Sequence, residues 1–100
     1  MSKSMSFQEL KVNYFDKLEK FVPVVDRVHG SHHPEFHDVK RIWETINMKT
    51  KLAGDAKPEL TEEFKELRQV TTDYLVPNDV CETFEWVYNI LKVADLTYHA

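Results

Sequence analysis

Histidine is the residue whose type and spacing could do chemistry in this chain. Four of its five histidines lie close together, as His29, His32, His33 and His37, with Glu35 and Asp38 among them. Neutral imidazoles bind zinc, copper or nickel, and two of them four residues apart share one face of a helix. His33 and His37 have that spacing, and Glu35 would add a carboxylate. The simpler reading is a group of polar residues at a bend. His33 directly precedes Pro34, a favoured first helical position, so it stands outside a helix that starts there. Structural zinc sites also want four closed ligands. By itself the cluster therefore implies adventitious metal binding or none, with a zinc or nickel site as the alternative.

His99 stands alone near the end of the last helical segment, where it reads as an exposed residue or as one that complements the helix C-terminus. Cys81 is the only cysteine, so no disulfide, CxxC pair or cysteine zinc cage forms within the chain. It reads as a small core or boundary residue near a helix start. A Cys81–histidine pair is conceivable, but no spacing supports catalysis by one. Trp43, Phe64, Phe84 and Trp86 read as core before they read as a ligand cage. Lys40, Arg41, Lys49 and Lys51 read as a solvated face. No glycine-rich phosphate loop, nucleophile elbow or paired-carboxylate motif is present.

Two glycines and four prolines in 100 residues favour a few long helices as the elements that position these groups. Breaks at 29–34, 54–58 and 75–78 leave four segments, with helices expected at roughly 6–28, 34–53, 59–75 and 79–98. Ser6 and Glu9 have capping-box spacing. Leu10, Tyr14, Leu18, Phe21, Val25 and Val28 then form one apolar stripe, with Pro23 expected to kink or split the helix near Phe21. Gly30 offers a left-handed exit. Phe36, Val39, Ile42, Trp43, Ile46 and Thr50 make the second stripe, and Gly54 stops it. Leu60, Phe64, Leu67, Thr71 and Tyr74 make the third; Val80, Phe84, Val87, Leu91, Ala94 and Tyr98 make the fourth, capped by Asn78 or Asp79. The expected core includes Leu18, Phe21, Val39, Trp43, Phe64, Leu67, Phe84, Val87 and Leu91. Four amphipathic helices joined by short turns pack most economically as an all-α, antiparallel up-down four-helix bundle. One domain over 1–100 is expected, with 1–5 a disordered N-terminal tail.

Hydrophobic residues at 42% and charged residues at 30% describe a globular chain rather than a disordered one. A net charge of −4 argues against sequence-independent nucleic-acid binding. No apolar run suits a membrane helix and no signal-peptide core is seen, so a cytoplasmic protein is expected.

Two stretches resemble the repair-of-iron-centres (RIC) family, the hemerythrin-like di-iron proteins linked to iron–sulfur cluster repair. At Val24–Glu44 the chain reads VVDRVHGSHHPEFHDVKRIWE, similar to the family's V-H-G-x-x-H-P-E-L-x-x-V turn. Val28, His29, Gly30, His33, Pro34, Glu35 and Val39 match it, with Phe36 in place of Leu. At Thr71–His99, residues Thr72, Pro77, Asp79, Cys81, Thr83, Tyr88, Asn89 and His99 fit the family's last helix and the loop before it. The two stretches keep the family's order and cover about half the chain.

The resemblance implies a hemerythrin-like four-helix bundle, with a di-iron centre held in the family by His and Glu from all four helices. His29 and His99 occupy ligand-like positions. The other ligands are missing. Phe7 and Gln8 replace the first-helix His pair; Ala53, Gly54, Lys57 and Pro58 replace the His-x-x-Lys-Glu-Glu motif; and Lys57, Pro58, Glu59 and Leu60 replace the Glu-x-His-x-x-Ala opening. The sequence ends at Ala100, ahead of the family's Leu-Glu-Asn-Asn segment. The resemblance thus implies a non-catalytic interaction or accessory module of the iron–sulfur or nitrosative-stress response, with a protein partner and no cofactor. The alternative is an iron-binding repair protein whose ligands are completed in a homodimer, with Glu35 or another carboxylate assisting.

Overall fold

The computed structural model describes residues 5–100. Four helices follow one another: α1 (Phe7–His29), α2 (Glu35–Ala53), α3 (Thr61–Thr71) and α4 (Glu82–Tyr98). No strand occurs among the described residues. The expected disorder at 1–4 lies outside them, while Met5 is half-buried against the core. No helix there is long and apolar enough to cross a membrane.

α1 starts as its sequence dictates. The Ser6 hydroxyl accepts the Glu9 amide, and the Glu9 carboxylate accepts the Ser6 amide. Pro23 neither ends nor splits the helix, which runs unbroken through it. An internal proline costs about 3 kcal/mol or more. Val22 and Val25, buried on either side of it, hold both halves against the core. The buried face of α1 is also rotated from the expected stripe. Phe7, Phe15 and Val22 join Leu10, Leu18 and Val25, whereas Val28 is exposed. Phe21, expected in the core, lies half-buried on its flank with Tyr14, where both rings meet Trp86 edge-on. A helix that packs against both α2 and α4 buries a face wider than one stripe.

Gly30 is right-handed (φ −59°), not left-handed. Its small size is needed for another reason: a Cβ there would stand 2.3 Å from the Asp26 carbonyl oxygen and 2.6 Å from His37 Cε1. Pro34 caps α2 from just outside rather than opening it. Every residue of the expected α2 stripe is buried, and Gly54 ends the helix at φ 60°.

α3 is shorter than expected. It stops at Thr71 because Thr72, Asp73 and Tyr74 all turn left-handed, at φ 54°, 57° and 63°. Three consecutive non-glycine residues in this region cost on the order of 1–2 kcal/mol each, least for Asp. The Thr71 hydroxyl anchors the turn by donating to the Leu67 carbonyl and accepting the Tyr74 amide, each at 2.7 Å. α4 begins later than expected. Cys81 is its N-cap residue, and the Asp79 carboxylate, expected to cap it, is taken by His33 instead.

The core joins all four helices. Trp43, Tyr88, Phe36, Phe64 and Phe84 are its largest fully buried side chains. The start of α1 meets the end of α4, where Phe7 packs edge-on to Tyr98 at 5.5 Å. The end of α1 meets the start of α4, where His29 packs edge-on to Phe84 at 5.5 Å. The Tyr98 hydroxyl also ties the α2–α3 loop down, accepting the Leu60 amide and donating to the Pro58 carbonyl.

Candidate functional site

The chemistry-bearing side chains gather at two places, one at each end of α4. At its start, the α1–α2 turn faces the loop between α3 and α4. His29 Nε2 lies 3.2 Å from Cys81 Sγ. His33 bridges two carboxylates, with Nδ1 3.1 Å from Glu35 Oε2 and Nε2 2.9 Å from Asp79 Oδ1. Both imidazoles rest on the Phe84 ring, at 5.5 and 5.6 Å. His37 turns away and pairs with Asp26 at 2.6 Å. His33 and His37 are thus engaged with different carboxylates: His33, which precedes the helix, with Glu35 and Asp79, and His37 with Asp26.

His33 is more than an ornament of the bend. Its side chain is only 14% exposed, and it links the turn to a loop 46 residues away. Burial pushes its pKa down, but the hydrogen bonds that it donates to Glu35 and Asp79, with the charges of those carboxylates, outweigh burial and raise it overall. Nearby, burial and the Glu35 charge push the Tyr88 hydroxyl well above its ordinary range. Cys81, expected at the core or its boundary, is exposed.

At the other end of α4 the organising group is Asp95, a carboxylate that no motif singles out. Asp95 is 9% exposed and takes donors from three elements. Arg68 Nε of α3 donates to Oδ2 at 2.9 Å, and the Tyr74 hydroxyl of the left-handed turn donates to the same oxygen at 2.8 Å. His99 Nδ1 lies 2.9 Å from Oδ1 and 2.9 Å from the Asp95 carbonyl. Burial, then the Asp95 bond, holds the Tyr74 pKa far above its ordinary range. Tyr74 is thus a fixed proton donor to a charged acceptor, the stronger class of hydrogen bond. One signal was available for this cluster. Asp95 directly follows Ala94 in the apolar stripe of α4, and His99 follows Asp95 by one helical turn.

The two ligand-like histidines do not converge. His29 sits at the start of α4 and His99 just past its end, and a helix of 17 residues is roughly 25 Å long. Between them the interior is filled by side chains such as Phe36, Trp43, Phe84 and Tyr88. Among the described residues no group of three or more His, Cys, Asp or Glu side chains is arranged to hold a metal ion. Inside one chain, His29 and His99 are too far apart to share one centre. Glu35, two residues from His33 in sequence, is engaged with it rather than with His99.

Set beside known proteins, the chain matches no family model, no curated protein and no solved structure.

Proposed function

We propose that this chain is a small non-catalytic protein of the iron–sulfur cluster repair or nitrosative-stress response, acting in the cytoplasm as an interaction or accessory module for a protein partner. In this reading it is an antiparallel up-down four-helix bundle of the hemerythrin-like kind that works without a cofactor. The link to repair comes from the resemblance of the His29–Glu35 turn and the Thr71–His99 stretch to RIC proteins. The observation that carries the metal-free part is the separation of His29 and His99. Each is committed to a different partner, and aromatic side chains occupy the interior between them.

A second reading is favoured by one observation. His29 and Cys81 stand 3.2 Å apart, with the thiol exposed, so an imidazole and a thiol meet at one end of the chain. An iron site could be completed there by a second copy of the chain. Anaerobic titration with ferrous iron followed by oxygen, combined with a measurement of mass in solution, separates the two. The proposal expects no oxo-bridged di-iron absorption and no iron-dependent change of mass. About two irons per chain, lost in His29→Ala, would overturn it; iron held only by a dimer would favour the second reading.

A further inference from the structure

The cleft beside Asp95 contains charged groups that the fold does not use. Its volume is about 510 Å³, inside the range of roughly 300–1,000 Å³ typical of small-molecule sites. Arg68, Lys92, Leu96 and His99 line it, with Asp73 and Tyr74. The Asp95 carboxylate at its base is saturated by Arg68, Tyr74 and His99. Arg68 gives Asp95 only its Nε, and its terminal guanidinium nitrogens make no hydrogen bond among the described residues. Lys92, on the next-but-one residue to Ala94, makes no hydrogen bond or ion pair there either. Leu96, 64% exposed, supplies an apolar wall.

A guanidinium docked through Nε onto a buried carboxylate is held in orientation, so its remaining donors are aimed before any ligand arrives. Tyr74 helps hold that carboxylate, and it does so from the left-handed run of Thr72, Asp73 and Tyr74. Strained backbone of this kind persists where its surroundings over-determine it, and it clusters at binding sites. The charges lining the cleft nearly cancel, Arg68 and Lys92 against Asp73 and Asp95. Asp73 on the cleft wall opposes each added negative charge, so the two cations that keep free donors suit a single carboxylate better than a dianion.

We propose that this cleft binds a small organic monocarboxylate with an apolar body. The carboxylate bonds to the terminal nitrogens of Arg68 and to Lys92 Nζ, and the body lies on Leu96. Asp95 and Tyr74 are positioning residues that fix Arg68. This site is independent of the iron reading.

Benzoate titrated into the full chain, followed by nitrogen-15 NMR including the arginine Nε–H signals, is the test. Saturating shifts confined to Arg68, Lys92, Leu96 and their neighbours are expected, with benzyl alcohol and inorganic phosphate not saturating over the same range. Lys92→Met and Leu96→Ser change exposed positions, so the fold should survive, and each should weaken benzoate by at least about fivefold. Absence of a saturating benzoate shift up to about 20 mM would overturn the site. So would unchanged affinity in both folded variants, or phosphate or benzyl alcohol binding as well as benzoate.

Discussion

The two ends of α4 organise polar groups in opposite ways. At its start, histidines stand at the periphery of an aromatic cluster, and each uses a separate partner: His29 the Cys81 thiol, His33 the pair Glu35 and Asp79, His37 Asp26. At its end, one buried carboxylate gathers Arg68, Tyr74 and His99, and the backbone is bent into an unfavourable region to bring Tyr74 there. The first end is held by packing, with polar contacts added around it. The second is held by a polar cluster that packing alone would not require. An abundance of histidine is thus a poorer guide to the most connected polar cluster here than a single buried carboxylate with a strained approach.

If packing holds the first end, the largest effect belongs to Phe84. Its ring is fully buried beneath His29, His33, Phe36 and Tyr88. Phe84→Ala should cost about 3–5 kcal/mol in urea unfolding. A smaller loss than that of Asp95→Asn would reverse the contrast between the ends. Asp95→Asn removes the charge that three donors share and should cost about 2–3 kcal/mol by the same measurement. A neutral result there would mean that the cluster contributes nothing to the fold.

Gly30→Ala should cost about 1–3 kcal/mol, because the added Cβ meets the Asp26 carbonyl oxygen, which cannot swing aside, as well as the His37 ring. It should also displace the His37–Asp26 pair, visible as a shift of the His37 imidazole signals. Thr72→Gly works in the other direction. It relieves a left-handed β-branched residue and should stabilise the chain by about 0.5–1 kcal/mol, net of the greater freedom of glycine when unfolded.

The smallest effect is the pH dependence at His33. Its folded pKa lies above the ordinary value of 6.5. Its contribution to stability is therefore fully present below that value and disappears as pH rises through the folded pKa. The deficit of His33→Gln relative to the parent should be larger at about pH 5.5 than at about pH 8.5. A deficit that grows toward alkaline pH would show that His33 acts as a neutral hydrogen-bonding group.

Much of the helical architecture could be read from periodicity. The α2 stripe from Phe36 to Thr50 is buried as its spacing predicts, and Ser6–Glu9 forms the expected box. In α1, periodicity does not separate Tyr14 and Phe21 from Phe15 and Val22, because all four are large enough and apolar enough to pack against a core. Only the placement of α1 between α2 and α4 decides between them. The end of α3 could not be read at all. No glycine marks Thr72–Tyr74; the turn is made there by Tyr74 reaching Asp95, 21 residues on. The same holds for the sites. His29 and His33 could be singled out by type and motif, but their partners Cys81 and Asp79 come from 52 and 46 residues away. Such pairings belong to tertiary packing rather than to local spacing.

The separateness of His29 and His99 is tested most directly by a double-mutant cycle. His29→Ala, His99→Ala and the double variant would be compared in stability, with and without ferrous iron under anaerobic conditions. Two side chains at opposite ends of α4 with no shared partner should be additive within about 0.5 kcal/mol in both conditions. A coupling above about 1 kcal/mol that appears only when iron is present would contradict this, because it would place both histidines on one metal centre.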